Sequence, residues 1–280
     1  MNKNILVKFT LRSFIFAAIS LGILAIGKID YNISLLLIKK ESIWAKFFYI
    51  FGEQPAYWGL LIGTVILFYG HKKTNKIRYI LCSAAGFILT YLFAYLIFIM
   101  PIRYLHDLME SQISNIEKII ASVIASLISI YITVAVPRYE NKLIKLRRHA
   151  IFLILPIITE MLLVSIMKEI WGRPRMRSIT SFEEFRYWYE IAGLAYGQEY
   201  KSFPSGHTAN AFTMIAFYVF APYIRKLNST LIFIFAIVWG SLVAISRLVM
   251  GAHFLSDVIA GFFITMACIY YFHKLLLEEN

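Results

Sequence analysis

The chain has 280 residues, 60% hydrophobic and 16% charged, and a formal net charge of +12. Its mean hydropathy of +0.69 excludes a soluble core, and many of its apolar runs reach the ~20 residues that a helix needs to cross a bilayer. In a soluble protein the basic excess would point to nucleic acid. Here it is assigned to cytoplasmic loops and an anion site, and no nucleic-acid partner is expected.

The apolar runs predict an all-α, polytopic transmembrane bundle of about eight spans. They are placed at 9–27, 56–70, 79–100, 118–136, 149–167, 206–223, 230–248 and 254–272. The first run resembles a signal peptide, with Lys3, Lys8 and Arg12 ahead of it and a possible cut after Gly27, but an uncleaved helix is expected. Residues 31–55 mix apolar runs with Lys39, Lys40 and Lys46, a pattern that favours a helix lying in the interface.

Loop charge sets the orientation. Lys72, Lys73, Lys76 and Arg78 follow the second span, Arg138 to Arg148 the fourth, and Arg225 and Lys226 the sixth. The segment between the third and fourth spans instead carries Asp107, Glu110 and Glu117. By the positive-inside rule both termini are cytoplasmic. The loop from Ser178 to Phe203 then lies outside; its many aromatic rings suit the headgroup level, as an anchor or as a cover over a site. His71, His149 and His273 map to the cytoplasmic side, and His106 is the one outer histidine without a motif. Cys82 and Cys268 read as buried small hydrophobes. Glu160, inside the fifth span near Pro156, reads as a neutral, hydrogen-bonded structural group.

Three polar clusters end apolar runs on that outer face: Lys168 to Met176, Phe203 to His207, and Ser246 to Asp257. Ionisable groups near a bilayer are costly, so these are functional candidates. His253 and Asp257 stand four apart, on one face if helical, and a carboxylate on one imidazole nitrogen leaves the other available to attack. His207 follows Pro204, Ser205 and Gly206 at the start of the sixth span, where unpaired backbone N–H groups favour an anion. Lys168, Arg175 and Arg247 supply a point charge and two planar forks for phosphate. Arg173 and Arg177 flank the motif as headgroup or loop contacts. No cluster has metal-ligand spacing, and neither a metal nor another cofactor is expected.

These clusters resemble the three signature motifs of the type 2 phosphatidic acid phosphatase family, which also includes bacterial lipid phosphatases and vanadium haloperoxidases. The family pattern is Lys, six residues, Arg-Pro; Pro-Ser-Gly-His; and Ser-Arg, five residues, His, three residues, Asp. Lys168 and Arg175, Pro204 to His207, and Ser246, Arg247, His253 and Asp257 fit it; Met176 stands where the family has a stiffening proline. The resemblance implies a six-helix-type phosphatase core at residues 149–280, with 1–148 as N-terminal transmembrane and interfacial helices. It implies that His253 forms a phosphohistidine oriented by Asp257 and that His207 protonates the leaving group. Lys168, Arg175, Arg247, Ser205 and Gly206 would bind phosphate. A lipid phosphate or diphosphate would then be cleaved at the outer face of a bacterial cytoplasmic membrane. Undecaprenyl diphosphate leads among the substrates, followed by phosphatidylglycerophosphate, phosphatidic acid and phosphorylated lipid A. A non-catalytic lipid-phosphate binder or transporter and a vanadate-dependent oxidase are the rival classes. The oligomeric state is left open.

Overall fold

The computed structural model describes residues 3–70, 76–224 and 228–278; His71, Lys72, Lys73, Arg225 and Lys226 lie outside the described residues. Among the described residues ten α-helices follow one another: α1 (Lys3–Leu24), α2 (Ile29–Leu37), α3 (Ile43–Phe51), α4 (Gln54–Tyr69), α5 (Lys76–Leu108), α6 (Asn115–Ala135), α7 (Glu140–Trp171), α8 (Gly206–Phe212), α9 (Ser229–Val249) and α10 (Leu255–His273). No strand occurs among these residues. Five stretches of the described residues are long and apolar enough to cross a membrane: Leu6–Leu24, Lys76–Leu108, Asn115–Ser178, Ser229–Val249 and Leu255–Glu278. The third of these contains both α6 and α7. The expected spans at 56–70 and 206–223 are helical too, but α4 has only 16 residues and α8 passes into a 3₁₀ stretch, Thr213–Tyr223. This is an all-α membrane protein.

Several hydroxyl groups inside the apolar helices bond to their own helix, which satisfies them where no water is at hand. Thr10 donates to the Leu6 carbonyl, Ser129 to that of Ala125 and Thr133 to that of Ser129, each at 2.8 to 2.9 Å. The start of α6 is written locally as Ser-x-x-Glu. The Ser114 hydroxyl accepts from the Glu117 backbone N–H, while the Glu117 carboxylate takes the Ser114 N–H.

The chain forms two compact units that do not follow its order. One comprises Gln54–Ile157 and the C-terminal residues from Phe272. In it α5 packs against α4 and α6, and Tyr69 and Thr133 share a hydrogen bond of 2.7 Å. His106 belongs to this unit, bonded to Glu117 at 2.9 Å and Ser111 at 2.6 Å, so its partners are structural ones.

The other unit joins Met1–Glu53 to Ile158–Tyr271 and holds all three motifs. Here α1 contributes Ala17 and Leu24 to a core cluster with Ile259 of α10, and Phe14 packs 5.0 Å from Phe263. The stretch expected to be one interfacial helix is two nine-residue helices, α2 and α3, on either side of residues 38–42. Between these two, the Lys39 N–H bonds to the Val249 carbonyl at 2.8 Å. The start of α10 is capped from α2: the Leu255 N–H donates to the Ser34 hydroxyl at 3.1 Å and the Ser256 N–H to Asp30 Oδ1 at 3.1 Å. Asp30 also pairs with Arg173 at 2.9 Å, with both side chains almost wholly buried.

Removing one member of a buried ion pair costs about 3–5 kcal/mol, because the other is left uncompensated. Asp30→Ala is therefore expected to lower the unfolding temperature in detergent sharply, while Ser34→Ala, which removes one cap, costs ~1 kcal/mol. Thermal unfolding of the purified variants checks the order; equal stability of Asp30→Ala and the parent would contradict it.

Candidate active site

Each motif arrives on a different segment of the first unit. Lys168 lies one turn before the end of α7, and its Nζ donates to the Lys201 carbonyl at 3.0 Å. Arg175 follows in an extended conformation and is anchored by bonds of 3.0 Å or less: its N–H to Glu199 O, its Nε to Gln198 O, and its carbonyl from Ser178. Met176 itself is buried in a cluster with Phe185 and Phe254.

Ser205 caps α8, and its N–H bonds to the Asp257 carbonyl at 2.9 Å. The chain approaches α10 so closely that a Cβ on Gly261 would stand 2.5 Å from the Ser205 carbonyl oxygen. Beside it, a Cβ on Gly206 would lie 3.5 Å from Lys168 Cε, which places the first and second motifs side by side. Ser205 and Thr208 share a hydroxyl hydrogen bond of 2.9 Å.

The third motif turns between α9 and α10. Arg247, buried in the last turn of α9, lies with its guanidinium carbon 4.6 Å from the centre of the Tyr49 ring. Gly251 has φ +62, a left-handed conformation that glycine adopts without penalty, and its carbonyl takes the Arg177 N–H at 2.7 Å. His253 falls in this turn and not in the helix, so the expected shared helical face does not describe the pair. Asp257 sits in the first turn of α10, where its Oδ2 accepts the Phe254 N–H at 2.8 Å and lies 3.5 Å from His253 Nδ1. That separation exceeds a hydrogen bond; catalytic bonds of this kind often tighten only with substrate in place.

Asp257 is otherwise fully engaged. Its Oδ1 takes Arg173 Nη1 at 2.5 Å and its Oδ2 takes the Ser202 hydroxyl at 2.5 Å. Arg173 thus departs from the expected headgroup contact: it has no exposed surface and bridges Asp257 to Asp30. Its guanidinium also lies 4.2 Å from the Phe254 ring centre. With the Asp257 charge taken up by Arg173, burial dominates at His253. Burial, then the charges of Lys168, Arg175 and Arg247, hold its imidazole well below the usual histidine range, so it is neutral at neutral pH.

His207 is the second residue of α8. Its Nδ1 lies 3.1 Å from Glu53 Oε1, and its ring stacks on Tyr49 with centroids 5.2 Å apart. The charges of Arg247, Lys168 and Arg175 act on it, and His253 lies near enough to interact with it, so the structure gathers the two histidines and three cations into one electrostatic neighbourhood. The sequence reading missed Tyr49, Glu53, Asp30 and the burial of Arg173. Two signals were present, since Asp30 and Glu53 are carboxylates among apolar residues.

The loop from Ser178 to Phe203 divides by depth. Phe182, Phe185 and Tyr187 pack inward on Met176 and Phe254, next to His253. Leu194 and Tyr196 stay exposed at 72% and 85%. Arg177 pairs with Glu199 at 2.5 Å, and that bond holds the Glu199 carboxyl below its usual range. Glu160 is buried, and neither carboxylate oxygen has a hydrogen-bond partner, contrary to the bonded group expected. Among the described residues no group of three or more His, Cys, Asp or Glu could hold a metal ion.

Fold and site together define an all-α membrane protein with a buried cluster of histidines and cations, and residues 149–280 match the family model of the PAP2 superfamily. This part of the chain is a PAP2 superfamily domain. A stretch of 66 residues is 41% identical to phosphatidylglycerophosphatase B of Bacillus subtilis (strain 168), covering 22% of this chain and 32% of that protein. The match thus spans about a third of the relative's length. No solved structure matches the chain significantly.

The sequence alone would allow Met176→Pro as neutral or mildly activating, since proline would stiffen Arg175. The buried thioether changes that expectation. Met176→Pro should cost about 1–3 kcal/mol of stability through lost packing, whereas Met176→Leu, which conserves volume, should cost less than ~1.5 kcal/mol. Thermal unfolding of both variants decides it, and an unchanged Met176→Pro would mean that the side chain adds nothing to the cluster.

Proposed function

We propose that the protein is a lipid phosphate phosphatase that hydrolyses a phosphate or diphosphate ester through a phosphohistidine on His253. The observation that carries the reading is the convergence of a neutral, buried His253 with Lys168, Arg175 and Arg247. A nucleophilic imidazole must be unprotonated, and phosphoryl transfer depends on positioning and on cations that meet the charge of the equatorial oxygens. His253 Nε2 attacks phosphorus, and the leaving oxygen departs with a proton from His207. Water activated by His207 then cleaves the P–N bond. Asp257 and Ser205 position the participants, and Gly206 lets the backbone approach the phosphate.

The catalytic region proposed from the sequence, residues 149–280, is completed by the N-terminal residues Asp30, Tyr49 and Glu53. A non-catalytic binder would need the cations alone, and the paired histidines favour turnover. For the substrate, the similarity to a phosphatidylglycerophosphatase supports phosphatidylglycerophosphate alongside undecaprenyl diphosphate. Loop charge supports cytoplasmic termini and a site on the outer face of a bacterial cytoplasmic membrane.

Purified protein should release inorganic phosphate from at least one lipid in a panel of phosphatidylglycerophosphate, undecaprenyl diphosphate, phosphatidic acid and phosphorylated lipid A. Activity should persist in EDTA, because cationic side chains hold the phosphate, and His253→Ala should abolish it. A full rate in His253→Ala would end the mechanism. For orientation, a cysteine at Ser181 should react with an impermeant reagent from outside and one at Asn141 should not; the reverse pattern would invert the topology.

A further inference from the structure

Two residues at the end of α3, one inside the helix and one just beyond it, grip the imidazole of His207 from different directions. Tyr49 stacks on the ring face with an interplanar angle of 25°, and Glu53, just past the helix end, meets the ring edge at Nδ1, 3.1 Å away. A face contact fixes the ring plane and an edge contact fixes its rotation within that plane. His207 and Glu53 are both shielded from water, with side chains 12% and 9% exposed, and at such sites a carboxylate acts more strongly than at a surface.

The segment carrying Glu53 is itself clamped. A Cβ on Gly52 would lie 2.9 Å from both γ-methyl carbons of Val243, one turn before Arg247 on α9. The Gly52 carbonyl accepts the Trp239 indole N–H at 3.2 Å. Tyr49 also lies under the Arg247 guanidinium, so α3 touches a phosphate-site cation and the second histidine at once.

We propose that Glu53 is the positioning residue of His207, holding the proton on Nδ1 so that Nε2 is the nitrogen that exchanges a proton with the reacting oxygens. The proposal deepens the phosphatase reading and rests on it. In the first half-reaction the P–O bond to the leaving group breaks as the bond from phosphorus to the His253 nitrogen forms. The proton on His207 Nε2 passes to the leaving oxygen. In the second half-reaction the P–N bond breaks as the water oxygen bonds to phosphorus, and Nε2 takes a proton from that water, which restores the starting state. Throughout, the Nδ1 proton stays on the Glu53 side, and the carboxylate favours the imidazolium against the charges that face it from Arg247, Lys168 and Arg175.

A double-mutant cycle tests the coupling, run with the full chain in detergent on whichever panel lipid the intact protein hydrolyses fastest. General acid–base work by a side chain is worth ~10²–10⁴-fold. His207→Ala should fall in that range, and Glu53→Ala should lose most of the same factor in kcat with KM little changed. Glu53→Gln keeps an acceptor for Nδ1 but no charge, and should fall between the parent and Glu53→Ala. It serves in the cycle if Glu53→Ala does not fold. The double variant should be no slower than His207→Ala alone. Losses that multiply in the double variant, or a Glu53 effect confined to KM, would overturn the proposal while leaving the phosphatase reading intact. No phosphate release from any lipid by the intact protein would overturn both.

Discussion

A fully buried arginine cannot lose its charge, so the fold around it must supply anions. Arg173 has no exposed surface and finds Asp30 from α2 on one side and Asp257 from α10 on the other. Asp30 then caps α10 through the Ser256 N–H and takes the Ser256 hydroxyl at 2.5 Å. Asp257 takes the Ser202 hydroxyl at 2.5 Å, and its carbonyl receives the Ser205 N–H. One guanidinium thus ties together the N-terminal helices, the loop that delivers the second motif, and the helix start that follows His253. Breaking such a pair leaves an uncompensated charge, which is why the arrangement is rigid even though a buried pair adds little net stability.

This network also sorts the charges of the site. Arg173 neutralises Asp257, so that carboxylate no longer competes for Lys168, Arg175 and Arg247, which are left to hold an anion. It also keeps Asp257 from drawing a proton onto His253, where burial and the three cations favour the neutral ring. The same cations that would bind a phosphate therefore keep its attacker unprotonated. At the other histidine, Glu53 Oε1 lies 3.1 Å from Nδ1 of the ring. The carboxylates beside the two histidines are differently placed: Asp257 is paired with Arg173, whereas Glu53 contacts the His207 imidazole directly.

What the sequence disclosed follows from range. The helices were legible because apolar runs of bilayer length are a local property, and the three motifs because their spacing is short and ordered. The capping of α6 by Ser114 and Glu117 is readable for the same reason. Asp30 and Arg173 stand 143 positions apart, and no periodicity links them; Arg173, two residues before Arg175, looked like a headgroup or loop contact. The split into α2 and α3 was hidden because Lys39 and Lys40 suggest an interfacial face, whereas Lys39 marks a break where the backbone bonds to Val249. His253 was placed on a helix because the four-residue interval to Asp257 fits one, yet Gly251 turns the chain and α10 begins only at Leu255.

The central claim is that His253 carries the phosphoryl group in transit. A lipid phosphate labelled at phosphorus, mixed with excess His207→Ala protein and quenched in alkali, isolates the first half-reaction from the second. The account predicts base-stable, acid-labile label on the peptide that contains His253, and no label when His253→Ala is combined with His207→Ala. Label on any other residue, or phosphate release with no labelled protein at any time, would contradict it.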